Sequence, residues 1–118
     1  MQTSHYPQHS FERRKEVSQK LRTQHPDRVP VIINVDPKCK TLKLDTNKYI
    51  TPGDITLSKF LLELRRHIKT ISPYTAIYLI LENGTLPSLS TMMSTLDTKH
   101  RNSDGFLYFS CCEENTFG

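Results

Sequence analysis

The apolar and polar positions of the chain change between a helical and a strand period, and together they predict three helices and four strands. A first helix is expected from Phe11 to about Gln24, because the Ser10 side chain can cap its N-terminus. Its apolar residues are few, since only Phe11, Val17 and Leu21 interrupt a run of charged positions. Such a helix packs through a narrow stripe and presents a basic outer face to solvent.

Four segments have the pattern of apolar residues that is typical of β-strands. Residues 29–35 alternate cleanly between two faces, which predicts a half-buried strand. Residues 48–51 predict a short strand, and Pro52 marks it as an edge strand because proline cannot donate to a ladder. Residues 76–81 form a nearly continuous apolar run, which predicts an interior strand, and residues 106–110 predict the last strand.

The strongest helical signal follows Thr56. Its apolar residues recur at spacings of three and four and form one core-facing stripe: Leu57, Phe60, Leu61, Leu64 and Ile68. A short third helix is expected to be capped near Ser90 and to carry Met92, Met93 and Leu96. Adjacent methionines are typical of gap-filling core residues.

Length and composition limit the classes of protein. A chain of 118 residues with 36% apolar residues and a mean hydropathy of −0.52 predicts one domain with a modest core. No apolar run approaches the ~18 residues of a membrane span, and no secretory leader is recognisable. The odd cysteine count, with Cys111 and Cys112 adjacent, favours reduced thiols in the cytosol.

Charge is distributed unevenly along the chain. Residues 1–69 hold fourteen Lys and Arg against seven Asp and Glu, whereas residues 70–118 hold two against five. The electropositive first part suits acidic peptides or anionic lipid, while nucleic acid is a poor match because stacking aromatics do not interleave with the basic residues. No acid, base or nucleophile constellation indicates an enzyme, no cofactor is implied, and the five histidines lack metal-ligand spacing.

The order of elements after the first helix predicts an α+β fold, the ubiquitin-like β-grasp, with a four-stranded mixed sheet packed on one main helix. We divide the chain into a helical extension at residues 1–24, a β-grasp core at 25–111 and a conjugation tail at 112–118. In this fold the last strand lies centrally and releases its tail into solvent. A terminal glycine then suits a protein used as a tag, because its carbonyl carbon is open to a nucleophile.

Several short sequence motifs extend this interpretation. They are Phe11-Glu12-Arg13-Arg14, His25-Pro26-Asp27-Arg28-Val29-Pro30-Val31-Ile32, Leu44-Asp45, Lys48-Tyr49, Phe106-Leu107-Tyr108 and Asn115-Thr116-Phe117-Gly118. Over essentially its whole length the chain resembles the ubiquitin-like modifiers of the autophagy-related protein eight family, which includes the gamma-aminobutyrate receptor-associated protein and the microtubule-associated protein light chains. The resemblance implies two N-terminal helices added to the β-grasp.

For the tail, the resemblance implies conjugation to lipid. Gly118 would be adenylated, passed as a thioester through the activating and conjugating cysteine enzymes, and joined to the amino group of phosphatidylethanolamine. Thr116 and Phe117 would help these enzymes, and a processing and deconjugating cysteine protease, to recognise the tail. Precursors in the family usually carry residues after this glycine, and the sequence leaves open whether Gly118 is the native terminus. The protein would be cytoplasmic when free, on the autophagosome membrane when lipidated, and finally in the lysosome or vacuole.

The resemblance also implies a peptide-binding groove along the predicted edge strand. Family members bind cargo receptors through a segment with an aromatic residue, two spacers and an aliphatic residue, often preceded by acids, and the segment adds a strand to the sheet. Carried over residue by residue, the aromatic pocket would use Leu21, Pro30, Lys48, Ile50 and Phe106. The aliphatic pocket would use Tyr49, Thr51, Pro52, Ile55 and Phe60, with Arg28 available to an acid of the peptide. Ile55, Phe60 and Phe106 are equally expected in the core.

Four positions near this groove depart from the family pattern. Val17 stands where an acid is common, Thr51 and Glu63 replace aliphatic residues, and His67 replaces an arginine. A carboxylate at Glu63 would make the aliphatic pocket more polar and repel acidic ligands. The groove is therefore expected without the usual peptide preference.

Two other classes of function share parts of this sequence. A modifier joined to protein lysines, as ubiquitin is, would have the same fold and terminal glycine. A non-conjugated adaptor on tubulin or anionic membranes would use the basic first helix, and its binding would weaken steeply with salt.

Overall fold

A computed structural model of the protein describes residues 9–39, 42–69 and 75–114. The elements in chain order are α1 (Phe11–Gln24), β1 (Arg28–Val35), β2 (Lys48–Pro52), α2 (Leu57–Arg65), β3 (Ile77–Leu81), α3 (Met93–His100) and β4 (Leu107–Glu113). The three expected helices and four expected strands all form. In the described ranges no helix is both long and apolar enough to cross a membrane.

The four strands form one mixed sheet in the order β2-β1-β4-β3. β1 pairs with β2 antiparallel and with β4 parallel, and β3 pairs with β4 antiparallel. The last strand is therefore central, as the β-grasp interpretation predicts, and β2 lies at an edge.

The main core lies between the sheet and α2. Alternate residues of the strands point toward the helix, and the apolar stripe of α2 covers them. Its fully buried members include Val31 and Ile33 of β1, Leu57 and Leu64 of α2, and Phe109 of β4. The stripe predicted from Leu57 onward is thus confirmed as the face that closes the core, although α2 ends at Arg65 and Ile68 instead bridges to Leu44.

A second, smaller apolar cluster lies on the opposite face of the sheet, under α1. Ile32, Phe106 and Tyr108 are buried there, and Val17 and Leu21 of α1 pack against them. The helix begins after Ser10, whose side chain accepts a hydrogen bond from the Arg13 amide, as predicted. α1 therefore buries the three large side chains on this face of the sheet, Ile32, Phe106 and Tyr108.

Polar contacts hold α1 against the loop before β4. The Asp104 carboxylate is fully buried and accepts hydrogen bonds from Arg14 Nε and the Tyr108 hydroxyl, and Ser18 Oγ donates to the Asp104 carbonyl. Burial and the bond to Asp104 raise the pKa of Tyr108, and the same carboxylate raises the pKa of Arg14. Arg22 adds a bidentate pair with Asp97 at 2.7 and 2.9 Å.

Three sequence expectations need correction, and a fourth lies outside the described residues. β3 is an edge strand rather than an interior one, and its residues alternate between buried and half-buried. α3 begins after Met92 without a side-chain cap, not near Ser90. β4 continues through Glu113, so the tail begins at least two residues later than the boundary at 112. One helix precedes β1 in the described residues, and the second one that the resemblance implies would fall on residues 1–8, outside them.

The expectation of reduced thiols is wrong for two of the three cysteines. Cys39 and Cys112 form a disulfide, with their Cα atoms 5.8 Å apart, that ties the connection after β1 to β4. The bridge closes a loop that spans most of the domain and so lowers the conformational entropy of the unfolded chain. In the loop-entropy description this raises the free energy of the unfolded state by about 4 kcal/mol. Cys111 is free and buried, and burial raises its thiol pKa to about 12.

The division of the chain into a helical extension and an independent core stays a prediction. The second apolar cluster and the Asp104 contacts show that α1 covers apolar surface of the sheet that would otherwise be exposed. Its removal would expose Ile32, Phe106 and Tyr108, so residues 25–111 should be less stable alone than with the helix.

Gly105 provides a direct test of how tightly α1 is docked. Its φ is +94°, and a Cβ added there would overlap Ser18 Oγ, whereas Gly84, at +87°, has open space around it. Both substitutions to alanine incur the cost of a left-handed backbone, about 1–2 kcal/mol. We expect Gly105→Ala to lower the free energy of unfolding by about 1 kcal/mol more than Gly84→Ala, because it also displaces α1. Urea denaturation measures the free energy of unfolding of both variants. Equal losses would show that α1 can shift away from Gly105 with no loss of stability.

Candidate functional site

The outer edge of β2 is open in the described part of the sheet. Hydrogen-bonded and non-hydrogen-bonded pairs alternate along an antiparallel ladder, and the Ile33 amide donates to the Asn47 carbonyl at 2.8 Å. In this register the Tyr49–Val31 and Thr51–Val29 pairs carry the next ladder bonds. The polar backbone groups of Ile50 therefore point away from β1, toward the edge where another strand can add.

Side chains of β2 alternate between the two faces of the sheet. Tyr49 packs against the main core on the α2 side, and Thr51 is buried there. Lys48 lies on the other side and contributes to a cavity beneath α1. The edge is therefore flanked by two depressions, one on each face of the sheet.

The α1 pocket is the depression between α1 and the start of β2. Its volume is about 460 Å³. It combines an apolar floor with a mainly basic rim, and its lining consists of His9, Arg13, Glu16, Val17, Lys20, Leu21, Gln24 and Lys48. Because Val17 and Leu21 already pack on the second cluster, the floor is fixed by the docking of α1. The pocket suits an aromatic side chain with anionic groups beside it.

The α2 pocket lies between β2 and α2. Its volume is about 280 Å³, and its lining is predominantly apolar: Tyr49, Ile50, Thr51, Pro52, Ile55, Lys59, Phe60, Glu63 and His67. Phe60 is buried and closes the floor, whereas the polar ends of Lys59 and Glu63 lie at the exposed rim. The size and lining suit one aliphatic side chain.

Aromatic contacts fix the wall of the α2 pocket. The Tyr49 ring meets Phe60 edge-on at 6.0 Å and His67 at 5.4 Å between centroids, and its hydroxyl donates to the Thr46 carbonyl at 2.6 Å. His67 Nδ1 lies 3.0 Å from Asp45 Oδ1. Burial, together with the nearby Asp45 charge, raises the pKa of Tyr49 to about 12. Tyr49 is therefore neutral at physiological pH and its ring is held in place.

Glu63 places a carboxylate beside this wall. Its side chain is 49% exposed and lies 3.9 Å from Arg66 Nη1, on a side chain that is itself 76% exposed. An exposed ion pair at that distance contributes little. The Glu63 charge is thus available to a ligand.

The structure brings together most of the residues expected at the groove, but not all. Pro30 and Phe106 are fully buried beneath the sheet and line neither pocket. Ile50 borders the α2 pocket, although alternation places its side chain on the α1 face with Lys48. Arg28 lines a separate cavity of about 440 Å³ with Asp27 and Asp54. Thr116, Phe117 and Gly118 lie outside the described residues.

One wall of the α1 pocket was not predicted from the sequence. Arg13, Glu16, Lys20 and Gln24 line it, with Val17 between them. These positions recur at spacings of three and four around Val17 and Leu21, which places them on the same side of the helix. That spacing was visible in the sequence, but a basic helix face is usually only a solvated surface.

Comparisons with known proteins agree over nearly the whole chain. The family described as "Autophagy protein Atg8 ubiquitin like" matches residues 12–118. Autophagy-related protein 8 of Schizosaccharomyces pombe is 41% identical over 92% of this chain and 88% of its own length, and that of Dictyostelium discoideum is 38% identical over 93% and 89%. The crystal structure of Trypanosoma brucei ATG8 superposes with a TM-score of 0.89 and 32% identity, covering 99% of this chain and 100% of that one.

Proposed function

The chain belongs to the Atg8 family of ubiquitin-like autophagy proteins, and we propose that it is a modifier joined through Gly118 to phosphatidylethanolamine and a reader of cargo-receptor peptides at the edge of β2. The observation that carries the peptide-reading part is the open strand edge with a pocket on each side. The conjugation part rests on membership of the family and on Gly118 standing at the family's conjugation position. The chain itself would have no catalytic role.

The proposed conjugation proceeds by adenylation followed by three acyl transfers. The Gly118 carboxylate attacks the α-phosphate of ATP, forming an acyl adenylate and releasing pyrophosphate. A cysteine thiolate of the activating enzyme displaces AMP to give a thioester, which passes to the conjugating enzyme's cysteine. The lipid amine then attacks the thioester carbonyl, releasing the thiol and forming an amide. The modifier supplies only the carboxyl group, and glycine leaves its carbonyl carbon accessible.

The structure supports this role through the position of β4. β4 lies between β1 and β3, and Glu114 follows it, donating its amide to the Ala76 carbonyl. Glu114 is exposed, so the chain leaves the sheet at the surface. Lipid chains on Gly118 would then transfer the free cytoplasmic form to the autophagosome membrane, with buried CH₂ groups contributing about 0.8 kcal/mol each. Delivery to a lysosome or vacuole would follow.

Peptide reading follows from the geometry of an added strand. A peptide that pairs with the open edge of β2 places successive side chains on opposite faces of the sheet. An aromatic residue and an aliphatic residue separated by two spacers therefore point to opposite faces. The α1 pocket would take the aromatic residue and the α2 pocket the aliphatic one, which accounts for a motif with two spacers. The basic rim formed by Arg13, Lys20 and Lys48 favours acids before the aromatic residue.

Conjugation is tested by changing the residue that supplies the carboxyl group. We expect Gly118→Ala, or deletion of Gly118, to abolish the membrane-bound form and leave the fold intact, because the carboxyl group is then poorly accessible or displaced. Cell fractionation followed by mass spectrometry of the recovered protein measures this. Phosphatidylethanolamine on the wild type and none on the variant is the expected result. Lipidated variant protein would contradict the proposal, and an isopeptide to protein lysines on the wild type would favour a lysine-directed modifier instead.

Peptide reading is tested by truncating the pocket walls. We expect Tyr49→Ala and Ile50→Ala each to weaken the binding of an aromatic-x-x-aliphatic peptide by about ten- to a hundredfold, roughly 1–3 kcal/mol. The first removes apolar wall from the α2 pocket, and the second removes apolar surface on the α1 face of the same strand. The peptide used carries no charge at its spacers. Glu63→Leu should tighten its binding, because leucine restores apolar surface to the α2 pocket. Calorimetric titration at two salt concentrations gives the affinities.

A matched control separates binding from stability. Ile80→Ala removes the same atoms from β3, the opposite edge strand, and should leave peptide affinity unchanged. Thermal unfolding of each variant shows whether it is folded at the titration temperature. Amide chemical-shift changes that spare residues 48–52 and concentrate on the exposed face of α1 would show that the peptide binds α1 and not the edge of β2.

A further inference from the structure

We infer that the groove selects a basic residue, lysine or arginine, at the first spacer of its peptide. The inference rests on the proposed peptide-reading function and adds the chemistry of one further peptide position. It follows from the direction of the added strand, the alternation of its side chains and the charges on the α2 face.

The two pockets set the direction of the peptide. The α1 pocket lies at Lys48, the start of β2, and the α2 pocket extends to Pro52, its end. A peptide whose aromatic residue comes first and enters the α1 pocket must therefore run parallel to β2. The aliphatic residue, three positions later, then reaches the α2 pocket near Pro52 and Ile55.

Alternation along the peptide places the first spacer on the α2 face. Residues two apart in a strand share a face and are about 6.7 Å apart. The first spacer therefore lies on the same side as the aliphatic residue, about 6.7 Å back toward the start of β2. The second spacer points to the α1 face. Only the first spacer can meet side chains of α2 at the level of Tyr49.

The groups at that level are acidic or hydrogen-bonded. α2 begins only four residues after β2 ends, so its first turn lies near Pro52 and its last turn returns toward Tyr49, which touches His67. Glu63 lies in this last turn with its carboxylate half-exposed, and the Asp45 carboxylate is 3.0 Å from His67.

The cations near the α2 face are less well placed. Lys59 is one helical turn before Glu63, about 6 Å along the axis toward Pro52, where its stem can cover the aliphatic residue. Arg66 lies 3.9 Å from Glu63 and is largely exposed, so solvent screens its charge. A cationic spacer would therefore meet the Glu63 carboxylate first, whereas an acidic spacer would be repelled by it.

The test uses three peptides that differ only at the first spacer, which is lysine, alanine or glutamate. For the wild type we expect the lysine peptide to bind about three- to tenfold more tightly than the glutamate peptide, with alanine between them, and the ratio to shrink with added salt. Glu63→Gln should reduce the ratio to about one, and Glu63→Lys should reverse it. Glu12→Gln makes the same change of net charge at an exposed position of α1 outside both pockets, and it should keep the wild-type ratio.

The alanine peptide separates the inference from the proposed function. If it binds the wild type and shifts the amides of Tyr49 and Ile50, the edge groove is in use. Equal affinities for the lysine and glutamate peptides would then overturn the charge selection alone, as would a preference that Glu63→Gln leaves intact. Failure of all three peptides to bind would overturn both.

Discussion

The buried carboxylate of Asp104 is the constraint on which the groove depends. It is fully excluded from water, and it accepts hydrogen bonds from Arg14 Nε, the Tyr108 hydroxyl and the Phe106 amide. A buried charge without such partners is strongly unfavourable, and removal of one partner from a buried pair typically costs about 3–5 kcal/mol. Because Arg14 belongs to α1 and Tyr108 to β4, satisfying this one carboxylate fixes the helix on the outer face of the sheet. The α1 pocket exists only where α1 is held in that place.

The result is an edge strand that presents a different surface on each face of the sheet. On one face, α1 adds a basic rim over an apolar floor formed by Val17 and Leu21. On the other, α2 adds an aliphatic pocket with the carboxylate of Glu63 and the Asp45–His67 pair at its rim. A fold shared with other Atg8 proteins thus carries a charge pattern set by a few positions. Specificity would come from those positions, because the backbone pairing tolerates almost any peptide.

Local signals predicted most of the fold. The Ser10 cap and the stripe from Leu57 located two helices, and Pro52 identified β2 as an edge strand. The interior position predicted for β3 was wrong, because a continuous apolar run does not show whether its other side has a partner strand. Pairs such as Arg22 with Asp97, which are 75 residues apart, leave no local signal, so the firm docking of α1 was missed. Pro30 and Phe106 were assigned to a pocket by the family resemblance, which indicates position along the chain, whereas the helix packed above the sheet decides whether a side chain is exposed.

The most direct test of the account is a structure of the protein bound to a peptide that carries an aromatic residue, two spacers and an aliphatic residue. We expect the peptide to form a strand parallel to β2 that hydrogen-bonds to the backbone of Ile50. The aromatic ring should rest on Val17 and Leu21, the aliphatic side chain on Phe60, and the first spacer should point toward Glu63. A peptide that binds antiparallel to β2, or away from it on the outer face of α2 around Leu62, would contradict the account.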